Sequence, residues 1–366
     1  MRIAILCDAL DLQYAGIQTY LRGLVKAVTE LDRSNEYFLV RPKAGGEFEN
    51  AREIIVPISS HIPGSQRLRL FTSIPKRLAA EKMDVVVEPA HFGPFNLPTH
   101  IKRVTIIHDL TPVLFPQFHP FASTLFHRFL LPHILKKADC IIANSENTKQ
   151  DVVAKYAVAK GKIQVVLPGR EIEFAPRKDA FVLQKYGITQ PYFLYVGTLE
   201  PRKNLATLVK AYDEYRRLGG QAFQLVLVGK KGWKNEAFEA ALAKSPHRKD
   251  IILTGYAERQ ELPVLYSMAA LFIYPSLYEG FGLPVLEAMS CGVPVLISNT
   301  SSLPEVGGQA AGYFNPNSVS DLAQAMLELA NDEAKRLEMS RLSLWQAEKF
   351  NWNSAVHKFV AHVASA

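Results

Sequence analysis

Short apolar runs recur along the chain at 2–7, 37–40, 53–57, 84–88, 104–107 and 140–143, and again at 192–196, 224–228, 251–254, 271–274 and 295–298. Most are apolar throughout rather than alternating, which predicts strands covered on both faces. Between them lie helix-length segments such as 16–31, where Ile17, Tyr20, Leu21, Leu24, Val25, Val28 and Leu31 recur at helical spacing. Strands of that kind alternating with helices predict an α/β chain built on parallel sheets. The pattern relaxes around Pro168-Gly169-Arg170 and Ala175-Pro176-Arg177-Lys178, then restarts. Two doubly wound domains, 1–172 and 173–366, follow from that break. In such folds ligands bind at the carboxyl ends of the strands, so a cleft between the two sheets is expected to hold the site. The last helix, 352–363, has no strand partner in the second domain, which leaves open a return to the first.

With 366 residues, 48% of them hydrophobic, the chain can fill two cores. No apolar run approaches the eighteen or so residues of a membrane span. The opening Met1-Arg2-Ile3-Ala4-Ile5-Leu6-Cys7-Asp8 is too short for a signal peptide and reads as a first strand. Cys7, Cys140 and Cys291 lack paired spacing, which predicts a reducing, cytoplasmic setting, no structural zinc, and thiols acting as small buried hydrophobes. Charge is uneven: residues 1–170 carry 22 Lys and Arg against 15 Asp and Glu, whereas 171–366 carry 20 of each. An anionic partner for the first half is implied, either nucleic acid or an anionic membrane face. Without a base-reading or RNA-binding signature, nucleic acid drops out. Gln66-Arg67-Leu68-Arg69-Leu70-Phe71, Pro75-Lys76-Arg77 and the stretch 118–137 mix cations with large apolar residues. They suit anionic lipid headgroups and lipid-linked acceptors, or equally are amphipathic helices with solvated faces.

One segment concentrates the chemistry: Glu279-Gly280-Phe281-Gly282-Leu283-Pro284-Val285-Leu286-Glu287. It follows the apolar run 271–274 and opens a helix with Pro284 in the first turn. Strand, glycine loop and helix start together present backbone N–H groups to an anion. The two acids are unsuited to phosphate, so Glu279 and Glu287 are assigned to hydroxyl groups on either side of it, the layout of a sugar nucleotide. A second segment, Val196-Gly197-Thr198-Leu199-Glu200-Pro201-Arg202-Lys203-Asn204, places two cations at the start of a helix over 205–212. Cations there oppose the helix dipole, which favours a functional role. Adjacent cations aimed at a departing diphosphate would stabilise its transition state more than the ground state. A dinucleotide fold would need Gly-x-Gly-x-x-Gly after the first strand, where Gly16 is the nearest glycine, and no Gly-Lys-Ser/Thr marks a P-loop.

The Glu279–Glu287 segment resembles the E-x7-E signature of the family 4 retaining glycosyltransferases, with the likeness extending over most of the chain and strongest from 192 to 312. The resemblance implies the GT-B fold, two Rossmann-like domains facing a central cleft. It gives Glu279 the donor sugar, Glu287 the ribose, backbone contacts to Phe281, Gly282 and Leu283, and the diphosphate to Arg202 and Lys203. Thr198 stands where some relatives carry Arg, which leaves open which of those two cations makes the main contact. Gly16, in Tyr14-Ala15-Gly16-Ile17-Gln18-Thr19-Tyr20, matches a small glycine loop near the donor phosphate. His108, in Ile106-Ile107-His108-Asp109-Leu110, matches a histidine beside the donor sugar, with Asp109 orienting it or capping the next segment. The segments Val228-Gly229-Lys230 and Thr254-Gly255-Tyr256-Ala257, each after a strand, match loops that face the base, with Gly255 supplying backbone and Tyr256 either a side chain or packing. The resemblance implies metal-independent, front-face transfer without a cofactor. It is closest to mannosyltransferase-like members that build bacterial surface polysaccharides, with GDP-mannose as the first donor expected and UDP-glucose or another UDP-hexose the second. The acceptor is then a glycan or lipid-linked glycan, reached by peripheral contact with the inner membrane face. A GT-B sugar-nucleotide epimerase and a non-catalytic sugar-nucleotide-binding protein remain the alternatives.

Overall fold

The computed structural model describes residues 1–11, 15–59, 64–94, 96–158 and 160–366. They form two compact units, Met1–Gly169 with Asn351–Ala366, and Arg170–Phe350. The first holds strands β1 (Arg2–Leu6), β2 (Glu36–Arg41), β3 (Arg52–Ile55), β4 (Val85–Glu88), β5 (Lys102–Ile107), β6 (Cys140–Ala143) and β7 (Ile163–Val165), in the sheet order β3-β2-β1-β4-β5-β6-β7. The second holds β8 (Tyr192–Val196), β9 (Gln224–Val228), β10 (Ile251–Gly255), β11 (Leu271–Tyr274), β12 (Val295–Ser298) and β13 (Gly312–Phe314), ordered β10-β9-β8-β11-β12-β13. Every pairing is parallel. The apolar runs are the strands for the expected reason: β8 and β11 are buried along their whole length. Cys7, Cys140 and Cys291 are buried free thiols.

Each sheet being parallel, its carboxyl edge gathers the turns that leave its strands. In the second unit these are Gly197, Gly229, Gly255, the 275–282 loop and the 299–302 turn. In the first unit they include Cys7-Asp8, Pro89 to His91, His108 and Asn144.

The crossing falls after Gly169 rather than after residue 172, and the terminal helix Trp352–Ala364 belongs to the first unit, the return that the sequence left open. The physical reason is the Trp352 indole, which fills a slot that two glycines leave. A Cβ on Gly23 would stand 2.3 Å from its Cζ2, and one on Gly169 would stand 2.6 Å from its Cγ. The helix then buries Ala355, Val356, Phe359 and Val363 beside the helix Ala15–Leu31, with Tyr20 and Trp352 ring centres 6.0 Å apart. The helix Glu333–Glu348 was not read from the sequence, because half of its buried residues, Ser343 and Gln346, are polar.

Candidate active site

The second unit's carboxyl edge begins with glycines whose backbones touch. The Gly197 N–H donates to the Val228 carbonyl at 2.9 Å, and the Gly229 N–H donates to the Gly255 carbonyl at 2.8 Å. Gly229 sits at φ +149°, and a Cβ there would lie 1.9 Å from the Gly197 carbonyl oxygen. Only glycine permits that approach.

Beyond Gly197, the 3-10 turn Pro201–Lys203 ends at Asn204, in left-handed conformation at φ +59°, from which the helix Leu205–Arg217 starts. The turn folds its two cations back onto Glu279. Lys203 Nζ donates to Glu279 Oε1 at 2.6 Å and to the Tyr274 hydroxyl at 2.6 Å. Arg202 Nη1 lies 2.9 Å from Glu279 Oε2 and donates to the Tyr278 carbonyl at 2.7 Å, while its Nη2 meets Glu200 Oε1 at 2.7 Å. Ser276 Oγ makes a short hydrogen bond to Glu279 Oε1. Glu200, Lys203 and Glu279 are all buried. Burial by itself would raise the Glu279 pKa, but Arg202, Lys203 and the bonds from Lys203 and Ser276 prevail and hold it at about 2. Burial and the neighbouring Arg202 lower the Lys203 pKa against the pull of Glu279 and Glu200. The sequence reading gave the sugar to Glu279 and the diphosphate to Arg202 and Lys203 as separate duties; the structure joins these charges directly.

The loop after Glu279 is tied at its backbone. The Glu279 N–H donates to Ser301 Oγ at 2.9 Å, and Ser302 Oγ donates to the carbonyls of Glu279 (2.9 Å) and Phe281 (2.8 Å). Phe281 turns its ring into the core against Phe350, with centres 5.7 Å apart, so only its backbone is available to a ligand. Gly282, at φ +110°, caps the helix Leu283–Ser290, with Pro284 in the first turn as expected and Leu283 as first residue. One turn inside that helix, Glu287 accepts from the Tyr266 hydroxyl through Oε2 at 3.0 Å. Burial pushes its pKa up to about 7 against the opposing pull of Arg259 and Tyr266. At the end of β10, Gly255 takes φ +71° and Tyr256 is 57% exposed, with Lys230 Nζ 4.7 Å from its ring centre. Tyr256 is therefore not a core residue.

His108 and Gly16 belong to the first unit. The buried His108 ring places Nε2 2.6 Å from the Pro89 carbonyl, which can only accept, so Nε2 carries the proton and Nδ1 is left as an acceptor. Its own backbone N–H donates to His91 Nε2 at 2.9 Å, and Tyr20 stands edge-on with ring centres 4.9 Å apart. Burial lowers the His108 pKa, against Pro89 and Asp109, and keeps the ring neutral. Asp109 Oδ1 accepts from the Thr111 N–H and hydroxyl at 2.9 and 2.6 Å, an Asx turn that leads into the helix Thr111–Leu114. His91, which sequence reasoning missed, holds this arrangement from φ +67° and is kept neutral, at about 3, chiefly by burial. The available signal was its place two residues past Pro89 at the end of β4. Gly16 is exposed in the first turn of its helix, and a Cβ there would meet nothing within 4 Å. Tyr14 lies outside the described residues. No helix among the described residues is long and apolar enough to cross a membrane.

Comparison with known proteins gives this geometry its context. Residues 14–174 match the family described as Glycosyltransferase Family 4, and residues 180–342 match Glycosyl transferases group 1. The chain is 35% identical to the O-antigen chain mannosyltransferase B of Escherichia coli over 72% of its own length and 71% of that protein's. It is 33% identical to the serotype-specific mannosyltransferase WbdA of Escherichia coli over 70% of its own length, but covers 32% of that longer protein. Among solved structures, Anabaena Alr3699/HepE in complex with UDP and glucose superposes with a TM-score of 0.78 at 15% identity, covering 100% of both chains, a likeness of fold.

Proposed function

The chain belongs to the group 1, family 4 glycosyltransferases, and from that premise we propose that it moves a hexose from a nucleotide sugar to a glycan or lipid-linked acceptor, with retention, in the assembly of a bacterial surface polysaccharide. The names of its mannosyltransferase relatives favour GDP-mannose as donor, and the UDP and glucose held by HepE make a UDP-hexose the second choice. The observation that carries the reading is the cluster of buried Glu200, Lys203 and Glu279 with part-buried Arg202, beside the start of the helix Leu283–Ser290.

In this reading the donor diphosphate takes over Arg202 and Lys203, and Glu279, relieved of part of its pairing, accepts from hydroxyls of the sugar. The bond from the anomeric carbon to the diphosphate breaks, and charge gathers on the leaving oxygens before the two cations. The acceptor oxygen bonds to the same face, and its proton passes to the departing phosphate. Arg202 and Lys203 supply the positive charge, so the reaction needs no metal or other cofactor.

The test is incubation of labelled GDP-mannose and UDP-glucose with a lipid-linked acceptor, with and without EDTA, and assignment of the product anomer by NMR. Retained transfer that survives EDTA is the expected result. Isomerised nucleotide sugar without transfer would make the protein an epimerase, and binding without turnover a non-catalytic one; loss of activity on chelation would overturn the metal-free mechanism.

The acceptor reading places the protein in the cytoplasm, at the inner face of the cell membrane. The helix Phe121–Lys137 supports it: Leu131, Ile134 and Leu135 point into the core, yet Phe121 (80% exposed), Leu125 and Phe129 face water alongside Arg128, Lys136 and Lys137. Residues 110–138 contain no Asp or Glu. Burying two phenylalanines contributes about 3 kcal/mol or more. Phe121→Ser with Phe129→Ser is therefore expected to weaken sedimentation with phosphatidylglycerol vesicles about a hundredfold at an unchanged thermal midpoint. Unaltered vesicle binding would remove the membrane from this account.

A further inference from the structure

Glu287 is held by a small framework of its own. The phenol that binds its Oε2 comes from Tyr266 on the helix Leu262–Ser267, and Tyr266 is fully buried. The Tyr266 ring is fixed between Phe272 and Phe174, both edge-on, with centres 5.4 and 6.0 Å away. Arg259, in the turn before that helix, lies over Phe174 at 5.2 Å and is ion-paired with Glu171, and its charge acts on Glu287. The phenol thus cannot swing aside, and it engages one carboxylate oxygen only.

We propose that Tyr266 and Arg259 are positioning residues for nucleotide binding: Tyr266 occupies Oε2 so that Oε1 is presented to the ribose hydroxyls, and Arg259, paired with Glu171 and seated over Phe174, backs the rings that fix the phenol. This rests on the reading that a nucleotide sugar binds with its ribose on Glu287. Among the described residues, the groups that act on Glu287 or respond to it are Tyr266 and Arg259, from the neighbouring helix and its preceding turn, and Cys291, the residue after its own helix. The thiol, pushed up to about 12 by burial and by Glu287 itself, stays neutral.

The consequence is a pH signature. Burial raises the Glu287 pKa to about 7. Above that the ionised carboxylate accepts from ribose, and below it protonation removes an acceptor, so affinity rises with pH. Tyr266 and Arg259 each favour the ionised form. Removing either moves the midpoint upward, weakens binding at pH 7, and leaves a deficit that shrinks at pH 9. A merely structural role would depress affinity equally at every pH.

The experiment is calorimetric titration of the full chain with GDP-mannose and with UDP-glucose, whose diphosphates carry no group that titrates in this range, from pH 5.5 to 9, for the native protein and for Tyr266→Phe, Arg259→Gln and Glu287→Gln. Tyr266→Phe is expected to bind about tenfold more weakly at pH 7 and to recover most of that loss by pH 9, with Arg259→Gln shifted in the same direction. Glu287→Gln is expected to show weak binding that no longer depends on pH near 7. Profiles for Tyr266→Phe and Arg259→Gln parallel to the native one, or a Glu287→Gln profile that still titrates near 7, would overturn the proposal. Failure of the native protein to bind either nucleotide at any pH would instead overturn the donor-binding reading beneath it.

Discussion

Glutamine in place of Glu279 is expected to lower transfer by about a thousandfold, the effect of removing a group that acts on the reacting centre. It is also expected to weaken the fold. The substitution keeps the shape but removes the charge that Arg202 and Lys203 share at 2.9 and 2.6 Å. Breaking a buried ion pair from one side costs about 3 kcal/mol, which for a unit of this size lowers the thermal midpoint by about 10 °C. Adding Lys203→Met removes one stranded cation and should restore part of the lost stability while transfer stays absent, so the two effects separate. The acid limb of the native stability curve carries the same information. A carboxylate held at about 2 contributes stability above its unfolded pKa near 4.3, and that contribution fades as pH falls toward 2. Glu279→Gln should lack this limb. Full transfer by the single variant, measured with labelled donor, would dismiss Glu279 from the site.

Alanine at Gly229 is expected to abolish nucleotide binding and to destabilise the second unit by about 3 kcal/mol or more. Its Cβ would stand 1.9 Å from the Gly197 carbonyl oxygen, and that contact is with backbone, which cannot rotate away. Relief would require breaking the bond from Gly229 to the Gly255 carbonyl or from Gly197 to the Val228 carbonyl, and these bonds align the ends of β8, β9 and β10. Calorimetry with GDP or UDP and a thermal melt would check both parts. A variant that melts and binds like the native protein would show that the strand ends have room to shift.

The architecture was legible because parallel strands buried on both faces leave no alternative to apolar runs. Two strands were missed, β7 and β13. Each has three residues and lies at a sheet edge, and Gln164 and Gly312 dilute the signal. The helix Glu333–Glu348 escaped because Gln346, though buried, donates to the Val306 carbonyl, so its polarity is satisfied inside rather than marking a surface. At the site, residue type and place in the motif pointed to Arg202, Lys203 and Glu279. Their direct pairing depends on β8 lying beside β11, which brings together turns far apart in sequence. Tyr266 was invisible for a different reason: a tyrosine on a short helix looks the same whether its hydroxyl meets solvent, core or a functional carboxylate. His91 needed a left-handed backbone that no neighbouring residue announces.

The Trp352 slot between Gly23 and Gly169 has a bearing on how the protein is made. Strands β1 to β7 leave the ribosome early, but the helix that covers Ala15–Leu31 is translated after the whole of the second unit. The unit begun first is completed last. During synthesis the apolar surface awaiting Phe359 and Val363 stays open while Arg170–Phe350 folds, and that interval is when the nascent chain is most exposed to aggregation and to chaperones.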